Sequence, residues 1–100
     1  MTDAKVIRLV RDAITTEWPD AGKLDPKAVF ECPDRGIVVW LELGDAAADL
    51  FCEWGAYSQA PGQPSYQFID NTCRLSDIIS ETLPGAYFEY ENSGAMYLVR

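Results

Sequence analysis

The chain has no histidine. That absence removes the Ser-His-Asp and Cys-His constellations of nucleophilic catalysis and every histidine-ligated zinc site. Phosphate-cradling glycine loops are missing as well. Neither G-x-x-x-x-G-K-[ST] nor G-x-G-x-x-G occurs, and there is no G-x-S-x-G nucleophile elbow. Asp45, Asp49 and Glu53 lack the close alternate spacing and central glycine of an EF-hand loop. A pair of carboxylates can act as acid and base, but among sixteen acids some pair is inevitable and carries no information. These gaps point away from an enzyme, and no cofactor or metal site is expected.

Cysteine is scarce: Cys32, Cys52 and Cys73 are odd in number and widely spaced, with no C-x-x-C. A disulfide framework is not expected, and a reducing cytoplasm is the natural home. The three are expected to be small buried apolar residues. Long apolar runs are also absent. A run such as Ile37 to Leu41 is of strand length and far short of the ~18 residues of a membrane span. The first residues are interrupted by Arg8, Arg11 and Asp12, so no secretory signal is expected.

Basic residues are few and unevenly placed. Eight Lys and Arg face sixteen Asp and Glu, for a net charge of −8. Residues 1–35 hold six bases against seven acids, a net of −1; residues 36–100 hold only Arg74 and Arg100 against nine acids, a net of −7. No base occurs between Arg35 and Arg74. A field of this sign attracts cations and basic proteins and repels phosphate. Direct nucleic-acid binding, which needs a basic stripe, is therefore not expected. The plainer alternative is that the acids only keep the protein soluble.

What is present suits a folded domain. One hundred residues correspond to a single domain, 1–100, and 48% hydrophobic residues can build a core. Val6, Ile7, Val10, Ala13 and Ile14 recur at helical spacing behind a Thr2 cap, and Trp18-Pro19 closes that helix. Lys27–Cys32 and Gly36–Leu43 read as strands joined by Pro33-Asp34-Arg35-Gly36. In the second, Ile37, Val39, Leu41 and Leu43 would face the core.

Residues 45–58 admit two readings. As a helix capped by Asp45, they place Ala47, Leu50, Phe51, Trp54 and Tyr57 on one face and Asp45, Asp49 and Glu53 on the other. As a strand from Asp49 to Ser58, they turn Phe51, Glu53, Gly55 and Tyr57 to the face opposite Leu50, Cys52, Trp54 and Ala56. Gly55 and the aromatic density favour the strand. Pro61, Gly62 and Pro64 make a loop of 59–65, and Ser65 to Ile69 reads as a short strand. Leu75, Ile78, Ile79 and Leu83 space as a helix with Asp70, Asn71 or Thr72 as caps. Ala86–Glu91 and Ala95–Val99 form a hairpin across Asn92-Ser93-Gly94. The expected fold is α+β: an antiparallel sheet of about five strands, with the N-terminal helix and a second helix packed on one face.

One constellation stands out. On the strand reading, Trp40 and Glu42, Phe51 and Glu53, and Tyr87, Glu89 and Glu91 point away from the helices; on the helical reading, the stripe of Asp45, Asp49 and Glu53 is an alternative contact surface. Aromatics offer contact area with few rotamers to freeze, and carboxylates beside them would meet lysine and arginine. Tyr57, Gln59 and Tyr66 offer a second binding edge. The expectation is a small, acidic, non-enzymatic protein-binding module. It would inhibit or neutralise a basic surface on a partner such as a nucleic-acid-binding protein or a toxin. Nucleic-acid mimics, anti-CRISPR proteins and immunity or antitoxin proteins share that physical profile. The alternatives are an assembly subunit that forms a homo-oligomer, such as a homodimer, through its sheet face or terminal hairpin, and a small carboxylate-dependent enzyme.

Overall fold

The computed structural model describes residues 1–55 and 67–100. The readings made for Ala56 to Tyr66, including the loop at 59–65, the strand start at Ser65 and the Tyr57, Gln59 and Tyr66 edge, lie outside the described residues.

Helix α1 runs from Asp3 to Glu17, with the Thr2 hydroxyl accepting from the Lys5 amide and Asp3 in the positive first turn. Its buried stripe is Val6, Val10, Ala13 and Ile14. Trp18, ahead of Pro19, leaves helical geometry and donates its amide to the Ile14 carbonyl. The loop that follows is tied back to the helix. The Arg11 guanidinium donates to the carbonyls of Asp25 (2.8 Å) and Leu24 (3.2 Å).

Strands β1 (Val29–Cys32) and β2 (Gly36–Trp40) pair antiparallel, Cys32 opposite Gly36. Their turn has Pro33 where φ is already set, closes through the Arg35 amide on the Cys32 carbonyl, and is reversed by Gly36 at φ 76°. Strands β3 (Tyr87–Asn92) and β4 (Ala95–Val99) form the terminal hairpin. β4 also pairs with β2, so the sheet order is β1-β2-β4-β3, antiparallel throughout. Among the described residues the sheet has four strands, not about five.

The missing strand is the segment after β2. It forms helix α2, Ala46–Phe51. Both edges of β2 are taken, by β1 and β4, so a strand following it directly has no place beside it. Asp45 supplies the cap: Oδ1 accepts from the Ala48 amide at 3.2 Å and Oδ2 from the Asp25 amide at 2.7 Å. Ala46, Ala47 and Ala48 are all buried, which only small side chains with high helix propensity allow here. Phe51 is therefore not on an outer sheet face. It is fully buried and meets Trp18 edge to face, ring centroids 5.4 Å apart. The helical reading also ran too long, because α2 ends at Cys52 and Trp54 is exposed.

Helix α3, Gln67–Ser80, begins earlier than the expected caps, and Ile69 is helical. Asp70, Asn71 and Thr72 all lie inside it. Asn71 and Thr72 are buried polar residues with assigned work. Asn71 Nδ2 donates to the Leu50 carbonyl at 2.9 Å, steadied by the Gln67 amide on its oxygen. The Tyr90 hydroxyl donates to the Phe51 carbonyl at 2.6 Å and meets the Thr72 hydroxyl. These two carbonyls are among the last of α2, which its own turns cannot satisfy. Side chains from α3 and β3 thus finish a six-residue helix.

All three described helices pack on one face of the sheet. Val6, Val10, Leu75 and Ile79 from the helices meet Ile37, Val39, Met96 and Leu98 from the strands. The cysteines do not follow their expected burial: Cys32 and Cys52 are half-buried, and Cys73 is exposed on α3. Among the described residues no helix is long and apolar enough to cross a membrane.

Two consequences are measurable. Asp45→Ala removes a cap and orphans the Asp25 amide, so it should cost about 1–3 kcal/mol in denaturant unfolding. Burial pushes the Tyr90 hydroxyl up from 10.0 to about 12. Its neutral form is favoured in the folded state, so the stability tied to it is complete below pH 10 and disappears as pH rises towards 12. Tyr90→Phe should cost about 1–3 kcal/mol at neutral pH, by leaving the Phe51 carbonyl unpaired. The same variant should show a shallower fall in stability above that pH.

Candidate functional site: the uncovered sheet face

With the helices on one side, the other face of the sheet is left bare of them. The register places Phe30, Val38, Tyr97 and Glu89 in a row across all four strands, with Trp40 beside Ala95 next to it. Phe30 and Trp40 are each 38% exposed and Tyr87 44%. Val38 is buried yet stands apart from the core cluster, shielded by its neighbours on this outer side. None of the four strands contains a lysine or arginine.

Three carboxylates on this face are each held by a partner. Glu42 Oε2 accepts from the Trp40 indole N–H at 3.3 Å. The same carboxylate fills the space above Gly94, where any Cβ would collide with it. Glu89 Oε2 accepts from the Tyr97 hydroxyl at 2.8 Å, and that bond to an anion raises the Tyr97 pKa. Glu91 takes the Arg35 guanidinium on both oxygens, at 2.8 and 3.0 Å, and the pairing raises the Arg35 pKa. The guanidinium also lies 5.2 Å from the centroid of the Tyr97 ring. Phe30, Val38, Tyr97, Arg35 and Glu91 line a shallow groove of about 460 Å³.

The structure thus brings together Trp40, Glu42, Tyr87, Glu89 and Glu91 from the residues singled out in the sequence. It separates the others. Phe51 is core; Asp45 is engaged by two backbone amides; Glu53 is exposed past the end of α2. Asp49 and Trp54 border a hollow of about 430 Å³ that Glu42 shares, so the acidic rim continues towards the end of α2. A larger hollow of about 610 Å³, lined by Asp25, Asp45 and Asp49, lies between the loop at 21–26 and the start of α2. Its Asp25 and Asp45 carboxylates are engaged by backbone amides.

Sequence reasoning missed Phe30, Arg35, Val38 and Tyr97. Strand alternation marks Tyr97 as opposite in face to Met96 and Leu98, but only the register shows that Phe30 and Tyr97 share a row. Arg35 did carry a signal, as the last base before a long stretch without one. Among the described residues, no cluster of His, Cys, Asp or Glu is arranged to hold a metal ion. No known protein family, curated protein or solved structure matches the chain.

Chemically, the face offers aromatic surface and fixed anionic acceptors, a combination complementary to lysine and arginine. Gly94→Ala should push the Glu42 carboxylate off the Trp40 indole. The obstructing atoms belong to one flexible side chain, so the stability cost should stay under about 2 kcal/mol. The Trp40 indole N–H resonance, assigned by comparison with Trp40→Phe, should move as it does in Glu42→Gln. A resonance indifferent to both changes would show that Glu42 is not positioned by Trp40.

Proposed function

We propose that the protein is a non-enzymatic binding module whose uncovered sheet face docks on a basic surface of another protein, neutralising or inhibiting it. One observation carries this reading: exposed aromatics alternate with anchored carboxylates on a sheet face whose strands hold no base. The acids steer a cationic partner into encounter, and the aromatics then exclude water from the contact. Carboxylates already held by hydrogen bonds have less side-chain freedom to lose on binding. A partner presenting a nucleic-acid-binding or catalytic basic surface would be blocked by occupation, without chemistry.

Size adds a constraint. Four strands of about five residues span roughly 20 × 17 Å, which projects to less than the ~800 Å² per partner of a standard interface. The rim at Glu42, Asp49 and Trp54 would then take part. Self-pairing through this face is disfavoured, because a two-fold axis sets each patch against its own like charges.

The test is isothermal titration calorimetry with a mixed lysine–arginine peptide across a salt series. Affinity should fall about tenfold or more between 50 and 300 mM salt. Glu42→Lys/Glu89→Lys should weaken binding at least about tenfold, while the charge-matched Asp12→Lys/Glu81→Lys, on the helical side, should change it less than about threefold. Equal losses from both pairs would mean that net charge alone attracts the peptide and that the face has no special role.

A further inference from the structure

We propose that Arg35 is an intramolecular stand-in for a partner's arginine, so that the sheet face is a guanidinium site which the chain occupies itself until a partner takes its place. This rests on the docking reading above and specifies the partner's chemistry.

The strands supply no cation, so among the described residues the one on the groove arrives from outside them, from the β1–β2 turn. That turn is shaped by Pro33 and by Gly36 at positive φ, and the Arg35 side chain reaches from it across the sheet to Glu91. The guanidinium there satisfies two demands together. Its N–H groups fork onto both oxygens of Glu91, and its central carbon lies over the Tyr97 ring. An ammonium can meet one oxygen or the ring but has no fork.

The surroundings are set up for such a cation. Glu91 stands at the irregularity in β3 between Tyr90 and Asn92, where an extra residue re-aims the side chain. The Tyr97 hydroxyl donates to Glu89, which pushes electron density into the ring that the cation meets. Phe30 and Val38 give the groove its apolar floor. Arg35 and Glu91 are 49% and 37% exposed in their side chains, so the pair is open to water and weak enough to be exchanged. A partner's arginine would restore the same bonds and bring its own buried area in addition.

The experiment uses the full chain with hexa-arginine and hexa-lysine peptides, measured by calorimetry at low salt. Far-UV circular dichroism confirms that each variant is folded. Arg35→Ala should bind hexa-arginine about fivefold more tightly than the unaltered protein and hexa-lysine less than about twofold more tightly. Arg74→Ala removes a base that pairs with Glu17 away from this face, and it reports the effect of net charge alone. Glu91→Gln in the Arg35→Ala background should erase the preference for arginine. If Arg35→Ala behaves as Arg74→Ala does with both peptides, Arg35 holds no one's place and this inference fails, while the salt and charge-reversal results still judge the docking face. If Arg35→Ala instead sediments as a dimer, the occupant is a second copy and the inference is overturned. If no variant binds either peptide, the docking reading falls with it.

Discussion

The architecture turns on the end of a very short helix. The final carbonyls of α2 are capped from other elements, Leu50 by Asn71 of α3 and Phe51 by Tyr90 of β3. An isolated helix of six residues is not stable in water, since nucleation costs more than so few bonds return. Buried carbonyls without partners would cost more still. With those bonds made, α2, α3 and β3 are locked in one arrangement, and the three alanines and Phe51 can enter the core. The same junction keeps the segment after β2 out of the sheet.

That arrangement decides the surface. Once all described helices lie on one side, the second side of the four-stranded sheet is covered, among the described residues, by its own side chains and by Arg35 from the turn. Antiparallel sheets tolerate this when the outer face is polar or partly shielded. Here the shielding is done by Tyr97, Phe30 and the Arg35 side chain around Val38, and the polarity by Glu42, Glu89 and Glu91. Phe30, Trp40 and Tyr87 remain partly exposed on the same side as the fixed carboxylates. The strands carry acids and no bases, while the helices carry both signs, with Lys5 and Arg8 exposed on α1.

Local patterns read well where one element settled the outcome. Helix α1, its Thr2 cap and its stop at Trp18-Pro19 follow from spacing and cap chemistry. So do the Pro33–Gly36 turn, the terminal hairpin and the inward set Ile37, Val39 and Leu41. The failures share one cause. Asn71 and Thr72 look like caps because their side chains usually bond nearby backbone, yet both lie inside α3, and Asn71 reaches a carbonyl twenty-one residues away. Phe51 and Trp54 have the composition of a strand, and the absence of a free edge beside β2 made the segment a helix.

The same division holds for the candidate site. The sequence alone determined that the second half of the chain would be anionic and aromatic, and that Trp40 with Glu42, and Tyr87 with Glu89 and Glu91, would lie on the side away from the helices. Alternation along one strand is local and follows from two-residue periodicity. Only the tertiary structure decided that Phe51 leaves that face for the core, that Tyr97 and Phe30 join it, and that Arg35 folds onto Glu91. Register between strands distant in sequence is set by what the helices bury beneath them, and no single segment carries that information.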